Sequence, residues 1–199
     1  AVARVLEAYE VEVEYVDLDP DDIEDALEGA EVDLLVSAWF PRDEKFAGPG
    51  RRVLGDLYQP VVSFAALSPL GAVGTLTSAD VDRIIVSDDS RQALEEALKQ
   101  LPALSVLPIE SIGEGALIER LEKARDAGEK PLVVATQPHA VFHTDLLTVI
   151  EDPAHLLGGE MSARMIIRED VARQADSDLL DELSEMMLGN RVMSALDYV

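Results

Sequence analysis

A glutamine, a proline and a histidine follow directly after an apolar run in the second half of the chain. The run, residues 131–135, has the length and β-branching of a buried strand, and Gln137, Pro138 and His139 form the polar turn behind it. Loops at the carboxyl ends of strands hold ligands in open α/β sheets. His139 is therefore either a ligand contact or a structural histidine that is satisfied by its own hydrogen bonds.

Trp39, the only tryptophan of the chain, ends a second short apolar run and is followed by a proline turn. Such a ring either packs in the core or forms the wall of a ligand pocket, where its face attracts a cation. His139 and His143 are four residues apart and would form a metal pair on a helix, but no carboxylate ligand completes a zinc motif. No glycine-rich phosphate loop, dinucleotide fingerprint or nucleophile elbow is present. We therefore expect no metal, no cofactor and no catalytic residue.

The charge balance restricts the possible partners. The chain contains 40 acidic and 16 basic residues, which gives a net charge of −24. Such a chain is repelled by phosphate backbones and by anionic membranes, so nucleic acid is excluded as a partner. The acids are spread along the sequence, which is typical of a solvated acidic surface. This pattern predicts adaptation to high salt, with an ordinary acidic protein as the alternative.

The composition is that of a globular protein with a sizeable core. Hydrophobic residues make up 48% of the 199 residues, and no apolar run is long enough for a transmembrane helix. The absence of cysteine excludes disulfides and thiolate metal sites. The sequence begins inside a predicted helix and without a signal peptide, so we expect that an upstream segment has been removed.

Strand-like and helix-like segments alternate, which favours an α/β fold with parallel sheets. The predicted strands are residues 11–18, 33–38, 61–67, 81–86, 104–107, 131–135 and 163–168. The predicted helices are residues 1–9, 23–27, 91–101, 111–127, 170–175 and 178–188. Residues 87–90 are predicted to cap a helix, and Ser111 and Glu114 to form a capping box.

A small, glycine-containing segment at 70–77 is predicted to be a linker between two lobes. The first lobe would comprise residues 1–66 and 160–199, and the second residues 67–159. The terminal helices would then pack on the first lobe.

Two segments resemble the substrate-binding proteins of glycine betaine ABC transporters, the OpuAC-like quaternary-amine family. Residues 31–41, Glu-Val-Asp-Leu-Leu-Val-Ser-Ala-Trp-Phe-Pro, are similar to the family's acidic segment, strand and Ala-Trp-x-Pro. Residues 131–153 are similar to its apolar strand, Pro-His turn and Glu-Asp-Pro turn at matching spacing. Residues 82–101 resemble the family's second-lobe strand and helix more weakly, and residues 164–170 resemble its strand-to-helix step. The resemblance thus extends over nearly the whole chain.

The resemblance implies a two-lobed, periplasmic-binding-protein-like (type II) α/β fold, and we expect its N-terminal strand to be missing before Ala1. It also implies the substrate-binding component of an ABC transporter, not an enzyme. Such a component captures a small zwitterionic or quaternary-amine solute such as glycine betaine in a cleft between the lobes, in the service of osmoprotection. A membrane permease is the implied partner, and the periplasmic or extracellular face of the membrane is the implied location.

Four residues take the positions of ligand contacts by this resemblance: Trp39, Gln137, His139 and Phe142. Aromatic faces would surround the quaternary ammonium group, with Tyr58 and Phe64 as further candidates. Where the family has tryptophans on both sides of Pro-His, this chain has Gln137 and Ala140. Gln137 would instead hydrogen-bond a polar solute.

Two other functions remain open from the sequence. One is a ligand-sensing or regulatory domain of the same fold with altered or lost betaine binding. The other is an enzyme of an unrelated α/β type, in which His139 acts together with a nearby acid.

Overall fold

The computed structural model describes residues 1–197, apart from the side chains at positions 114 and 197. Its helices are α1 (Val2–Ala8), α2 (Ile23–Glu28), α3 (Arg91–Leu98), α4 (Leu117–Ala127), α5 (Glu169–Ala172), α6 (Ser177–Glu185) and α7 (Asn190–Asp197). Its strands are β1 (Leu34–Phe40), β2 (Arg51–Tyr58), β3 (Val61–Ala66), β4 (Arg83–Ser87), β5 (Ile109–Ile112), β6 (Pro131–Gln137), β7 (Thr148–Val149) and β8 (Ser162–Arg168). The chain is thus a mixed α/β protein.

The chain forms two compact units, each with one sheet. Unit 1 comprises Ala1–Gln59 and Met161–Gly189, and unit 2 comprises Pro60–Glu160 and the chain from Asn190 onward. The lobe boundaries expected from the sequence differ from these units in two elements. Strand β3 and helix α7 both belong to unit 2, because β3 pairs with β6 and α7 packs against the 3₁₀ helix that follows β6.

Unit 1 is built on an antiparallel sheet in the order β1-β8-β2. The central strand β8 pairs through Ile167 with Leu34 on one side and with Arg52 on the other. The register shifts between Leu35 and Ala38, as at a β-bulge. Leu35 and Ala38 both contact the same apolar cluster. They are three residues apart, a spacing that would place them on opposite faces of a regular strand, so the bulge brings both side chains to one core.

Helix α6 lies very close to β2 in unit 1. A Cβ atom added at Gly55 would stand 1.8 Å from the carbonyl oxygen of Ser184, so only glycine permits this approach. Leu179 and Leu183 of the helix are buried. The helix therefore covers the sheet through direct backbone contact as well as through apolar side chains.

Unit 2 contains a five-stranded sheet in the order β5-β4-β6-β3-β7. Strand β4 runs parallel to β5 and β6, whereas β3 is antiparallel to β6 and β7. The prediction of parallel sheets is therefore correct for only part of unit 2 and wrong for unit 1.

Apolar side chains of β6 alternate between two cores, one on each face of this sheet. Leu132 and Val134 join the cluster that contains Leu94 of α3, and Val133 joins the cluster that contains Leu121 of α4. A strand covered on both faces has a continuous apolar sequence, as residues 131–135 do.

The predicted strand at residues 11–18 is wrong. Residues 11–19 form no regular secondary structure, and Tyr15 is 82% exposed. Alternating valines and acids favour an extended backbone, but a strand also needs a partner. The strands of unit 1 that the structure describes pair with one another and not with this segment.

Three further local predictions are wrong. Residues 104–107 form turns, and the strand starts later, at Ile109. Ser111 lies inside β5 and is not a helix cap, while the side chain of Glu114 lies outside the described residues. The predicted linker 70–77 belongs to unit 2, because Val73 and Leu76 are buried in its core.

Candidate ligand-binding site

Trp39 lies near the end of β1 in unit 1, and its indole ring is held by polar partners. The indole N–H is shared between the Ser37 hydroxyl at 3.1 Å and the Tyr58 hydroxyl at 3.0 Å, and these two hydroxyls also bond to each other. The Tyr58 ring stands edge-on to Trp39, with 6.5 Å between centroids and 88° between planes. The ring is thus fixed in orientation and remains only partly buried.

Arg42 and Asp43, in the turn after Trp39, form a second layer around this ring. The Arg42 guanidinium carbon lies 4.6 Å from the Trp39 ring centroid, a cation–π contact. Asp43 accepts two hydrogen bonds from Arg42, both at 3.0 Å, and a third from the Trp39 backbone N–H at 2.8 Å.

Two opposing effects set the pKa of the Asp43 carboxyl. Burial raises it, but the hydrogen bonds from Arg42 and from the Trp39 backbone N–H lower it by more. The net pKa lies below its ordinary value, so Asp43 is charged at neutral pH and keeps Arg42 in place over the ring.

A cavity of about 210 Å³ lies in unit 1 beside these residues. Ser37, Arg42 and Asp43 line it together with Lys45 and Phe46. It therefore combines cationic, anionic, hydroxyl and aromatic groups within a small volume.

A larger cavity of about 470 Å³ lies elsewhere in unit 1, between Tyr9 and α6. Four carboxylates line it, those of Asp178, Asp181, Glu182 and Glu185. None of the predicted ligand contacts, Trp39, Gln137, His139 and Phe142, lines either cavity. The smaller one is distinguished by Arg42 and Asp43, which contact Trp39.

Gln137 and His139 lie in unit 2, at and just after the carboxyl end of β6. The Gln137 side-chain amide donates to the Ser63 hydroxyl at 2.9 Å. His139 is 9% exposed, and its Nδ1 accepts the Val141 backbone N–H at 3.0 Å. His139 thus caps the 3₁₀ helix Ala140–His143, and its backbone N–H donates to Ser194 of α7 at 3.2 Å.

The aromatic candidates of unit 2 differ in accessibility. Phe142 is partly buried and packs against the cluster that contains Val141 and Leu117. Phe64 is 1% exposed, so its ring faces are covered by the core and it is not a wall of a pocket. The structure therefore gathers Gln137, His139 and Phe142 in one stretch of unit 2, and Trp39 lies in unit 1.

Sequence reasoning missed a polar network at the carboxyl ends of the parallel strands β4 and β6. The Thr136 hydroxyl donates to Asp89 at 2.5 Å and bonds Ser90 at 2.9 Å, and Ser87 donates to Ser90 at 2.9 Å. Residues 87–90 were expected to cap a helix, but the Ser90 side chain makes no capping hydrogen bond to α3. Hydroxyl residues at the ends of two neighbouring strands were the available signal.

The Arg42 contact was also missed, since its sequence neighbourhood suggests only a polar loop. Among residues 1–197, apart from the two undescribed side chains, no group of three or more His, Asp or Glu residues could hold a metal ion. Over the same range, no helix is both long enough and apolar enough to cross a membrane.

Residues 90–199 match the family model described as the substrate-binding domain of the ABC-type glycine betaine transport system. This match covers more than half of the chain. The chain belongs to this family. OpuAC-type proteins are solute-binding components of ABC transporters and not enzymes, so the family resemblance and the expected non-enzymatic class are confirmed.

Solved structures show the same fold as this OpuAC-type chain. Lactococcal OpuAC, closed and complexed with glycine betaine, is similar with a TM-score of 0.73 and 18% identity, over 98% of this chain and 81% of that one. The glycine betaine/L-proline-binding protein ProX from Borrelia burgdorferi gives a TM-score of 0.67 and 18% identity, over 95% and 76% of the chains. These likenesses confirm the type II periplasmic-binding-protein fold.

An ABC-transporter choline-binding protein in complex with choline is also similar, with a TM-score of 0.63 and 13% identity over 97% of this chain and 74% of that one. A comparison of the OpuAC-type sequence with curated proteins gives no match.

Proposed function

We propose that this chain captures a small compatible solute such as glycine betaine for import by an ABC transporter, and so serves osmoprotection. A quaternary ammonium group has no N–H to donate, so aromatic faces are its natural partners, each contributing about 0.5–2 kcal/mol. Trp39 is the observation that carries the proposal. Its N–H is already satisfied by Ser37 and Tyr58, so the ring has its π system, and no unsatisfied donor, to offer a ligand.

We further propose that ligand contacts come from both units: Trp39 from unit 1, and Gln137, His139 and Phe142 from unit 2. The location of Gln137 and His139 supports this, since ligands bind at the carboxyl ends of parallel strands in α/β sheets. The proposed partner is a membrane permease, and the proposed location is the periplasmic or extracellular face of the membrane.

The cavity lined by Ser37, Arg42 and Asp43, three residues near Trp39 in the chain, supports a ligand of low mass, although Trp39 itself does not line it. Its volume of about 210 Å³ lies below the ~300–1,000 Å³ typical of pockets for drug-sized molecules. A compact solute with one ammonium and one carboxylate group fits this volume and the mixed charge of its lining.

Calorimetric titration with glycine betaine, proline betaine, choline and carnitine tests the proposal. We expect at least one of these ligands to bind, and Trp39→Ala to weaken that binding by about tenfold or more through loss of the ring face. Trp39→Phe should retain part of the affinity. The matched control is Tyr15→Ala. It removes an aromatic ring that is 82% exposed and is not one of the predicted ligand contacts.

An unchanged affinity in Trp39→Ala would refute the role of this ring.

The second candidate function is a ligand-sensing or regulatory domain with altered or lost betaine binding. One observation favours it: Gln137 is bonded to Ser63, His139 caps a helix, and Phe142 packs on the core. No heat from any of the four ligands would support this second function over the first.

A further inference from the structure

Tyr58, one of the further aromatic candidates from the sequence, is the last residue of β2 and is only 5% exposed. Since its ring is covered, it does not form a wall of a ligand pocket. Its hydroxyl accepts the Trp39 indole N–H at 3.0 Å and also bonds to the Ser37 hydroxyl. Any effect of Tyr58 on a solute at Trp39 is therefore transmitted through the tryptophan.

An irregular strand register brings Tyr58 to the same residue as Trp39. Trp39 of β1 and Tyr58 of β2 both stand opposite Ala163 on the central strand β8. A regular pairing continued from Asp56 would place Leu57 opposite Ala163, but the register shifts by one residue, as at a β-bulge. Directly opposed side chains lie on one face of a sheet, so the shift turns Tyr58 toward the Trp39 ring.

Ala163 leaves the space in which the two rings meet. Neighbouring strands are about 4.8 Å apart, so β1 and β2 are separated by about twice that distance with β8 between them. Two aromatic side chains meet across a central strand only when the residue between them is small, and Ala163 is small and fully buried. The rings accordingly stand edge-on, with 6.5 Å between their centroids.

The hydrogen bond restrains the indole at its edge. An indole N–H lies in the plane of its ring, so acceptors at this atom limit the tilt of the ring and leave its faces out of the contact. Ser37, two residues before Trp39 on β1, accepts the same N–H at 3.1 Å. A ring that is oriented in advance loses less side-chain freedom when a ligand binds, so binding is tighter.

We propose that Tyr58 is a positioning residue for the Trp39 site. Its hydroxyl, together with that of Ser37, holds the indole in the orientation that receives the solute, and Tyr58 itself does not touch the solute. This inference rests on the proposed function and adds to its site a residue that acts only through another ring.

Tyr58→Phe tests this inference, because it removes the hydroxyl and keeps the buried ring. Trp39 is the only tryptophan, so the decay of tryptophan fluorescence anisotropy reports the motion of this ring alone. We expect faster ring motion in Tyr58→Phe. Calorimetry with glycine betaine and choline should show binding about three- to tenfold weaker than in wild type, the scale of one lost hydrogen bond.

The second hydroxyl provides a graded test of the same contact. Adding Ser37→Ala to Tyr58→Phe removes both acceptors of the Trp39 N–H, so ring motion should increase further and the affinity should fall again. Ser37→Thr keeps a hydroxyl and should retain most of both properties.

The matched control is Tyr9→Phe. It removes another tyrosine hydroxyl of unit 1, one that is hydrogen-bonded to Glu182 and lines the larger cavity. We expect wild-type ring motion at Trp39 and wild-type affinity in this variant, with every titration made well below the unfolding midpoint.

The outcomes separate the inference from the proposed function. If wild type binds a solute and Tyr58→Phe binds it as tightly as Tyr9→Phe does, the inference is overturned while the function stands. Unchanged ring motion in Tyr58→Phe would also overturn the inference, whatever the affinity. If wild type binds none of glycine betaine, proline betaine, choline and carnitine, the proposed function fails and the inference fails with it.

Discussion

His139 shows how one side chain can fit two roles that make different demands. As a ligand contact it would need an accessible ring nitrogen, and as a cap it needs an acceptor for a backbone N–H. The structure provides the second, with Nδ1 accepting from Val141 in a side chain that is 9% exposed. A contribution to stability is thus expected whether or not a ligand binds.

His139→Ala is predicted to lower the free energy of unfolding by about 1 kcal/mol, because the Val141 N–H loses its acceptor. His139→Asn should lose less, since asparagine is a good capping residue. Urea-induced unfolding measures the difference, with the exposed His143 changed to alanine as the control. Equal stability of wild type and His139→Ala would contradict the capping role.

Asp56 provides a test through pH. Its pKa is lowered, first by the Ser162 hydroxyl and then by the nearby Arg164 charge. The folded pKa is thus below that of the unfolded chain, about 3.9. The charged Asp56 carboxylate therefore stabilises the fold fully above the unfolded pKa, and this stabilisation is lost as the pH falls through the lower, folded pKa.

Asp56→Asn is therefore predicted to cost about 0.5–1 kcal/mol at pH 7, a modest value because the group is partly exposed. The cost should shrink as the pH falls below ~4. Urea unfolding at pH 7 and in acid gives the comparison, with the exposed Asp126→Asn as reference. A cost that grows in acid would have the wrong sign for a lowered pKa.

At the scale of elements, the close packing of α6 against β2 depends on the absence of a side chain at Gly55. Gly55→Ala would place a Cβ atom 1.8 Å from the Ser184 carbonyl oxygen, which is backbone and cannot rotate away. We predict a loss of at least about 2 kcal/mol from overpacking. Thermal unfolding measures it.

Gly74→Ala is the matched control for this contact, since nothing lies within 4 Å of a Cβ atom added at Gly74. If the two alanine variants unfold at the same temperature, α6 does not depend on close backbone approach.

For the whole molecule, the net charge of −24 dominates behaviour in solution. Self-repulsion among like charges destabilises a compact chain, and salt screens it over about 8–10 Å at physiological strength and less at molar strength. We therefore predict that the unfolding midpoint stays level or rises between ~0.05 M and ~2 M NaCl. A fall over this range would contradict adaptation to high salt.

The core of unit 2 was predictable because its strands carry continuous apolar runs. Residues 131–135 lie in β6, most of the predicted run 81–86 lies in β4, and α3 has its apolar residues at helical spacing. Residues 11–18 have an equally clear pattern and form no strand, since pairing depends on a partner elsewhere in the chain.

The features of the candidate site also divide into those that the sequence predicts and those that depend on the folded chain. The sequence by itself determined the fold class, the family, and the location of Trp39, Gln137 and His139 at strand ends, because these follow from local patterns and motif spacing. Only the tertiary structure decided that Phe64 is covered, that His139 is a cap, and that Arg42 lies over Trp39. The reason is that side-chain contacts depend on which groups the folded chain brings within a few ångströms, and no sequence spacing encodes that distance.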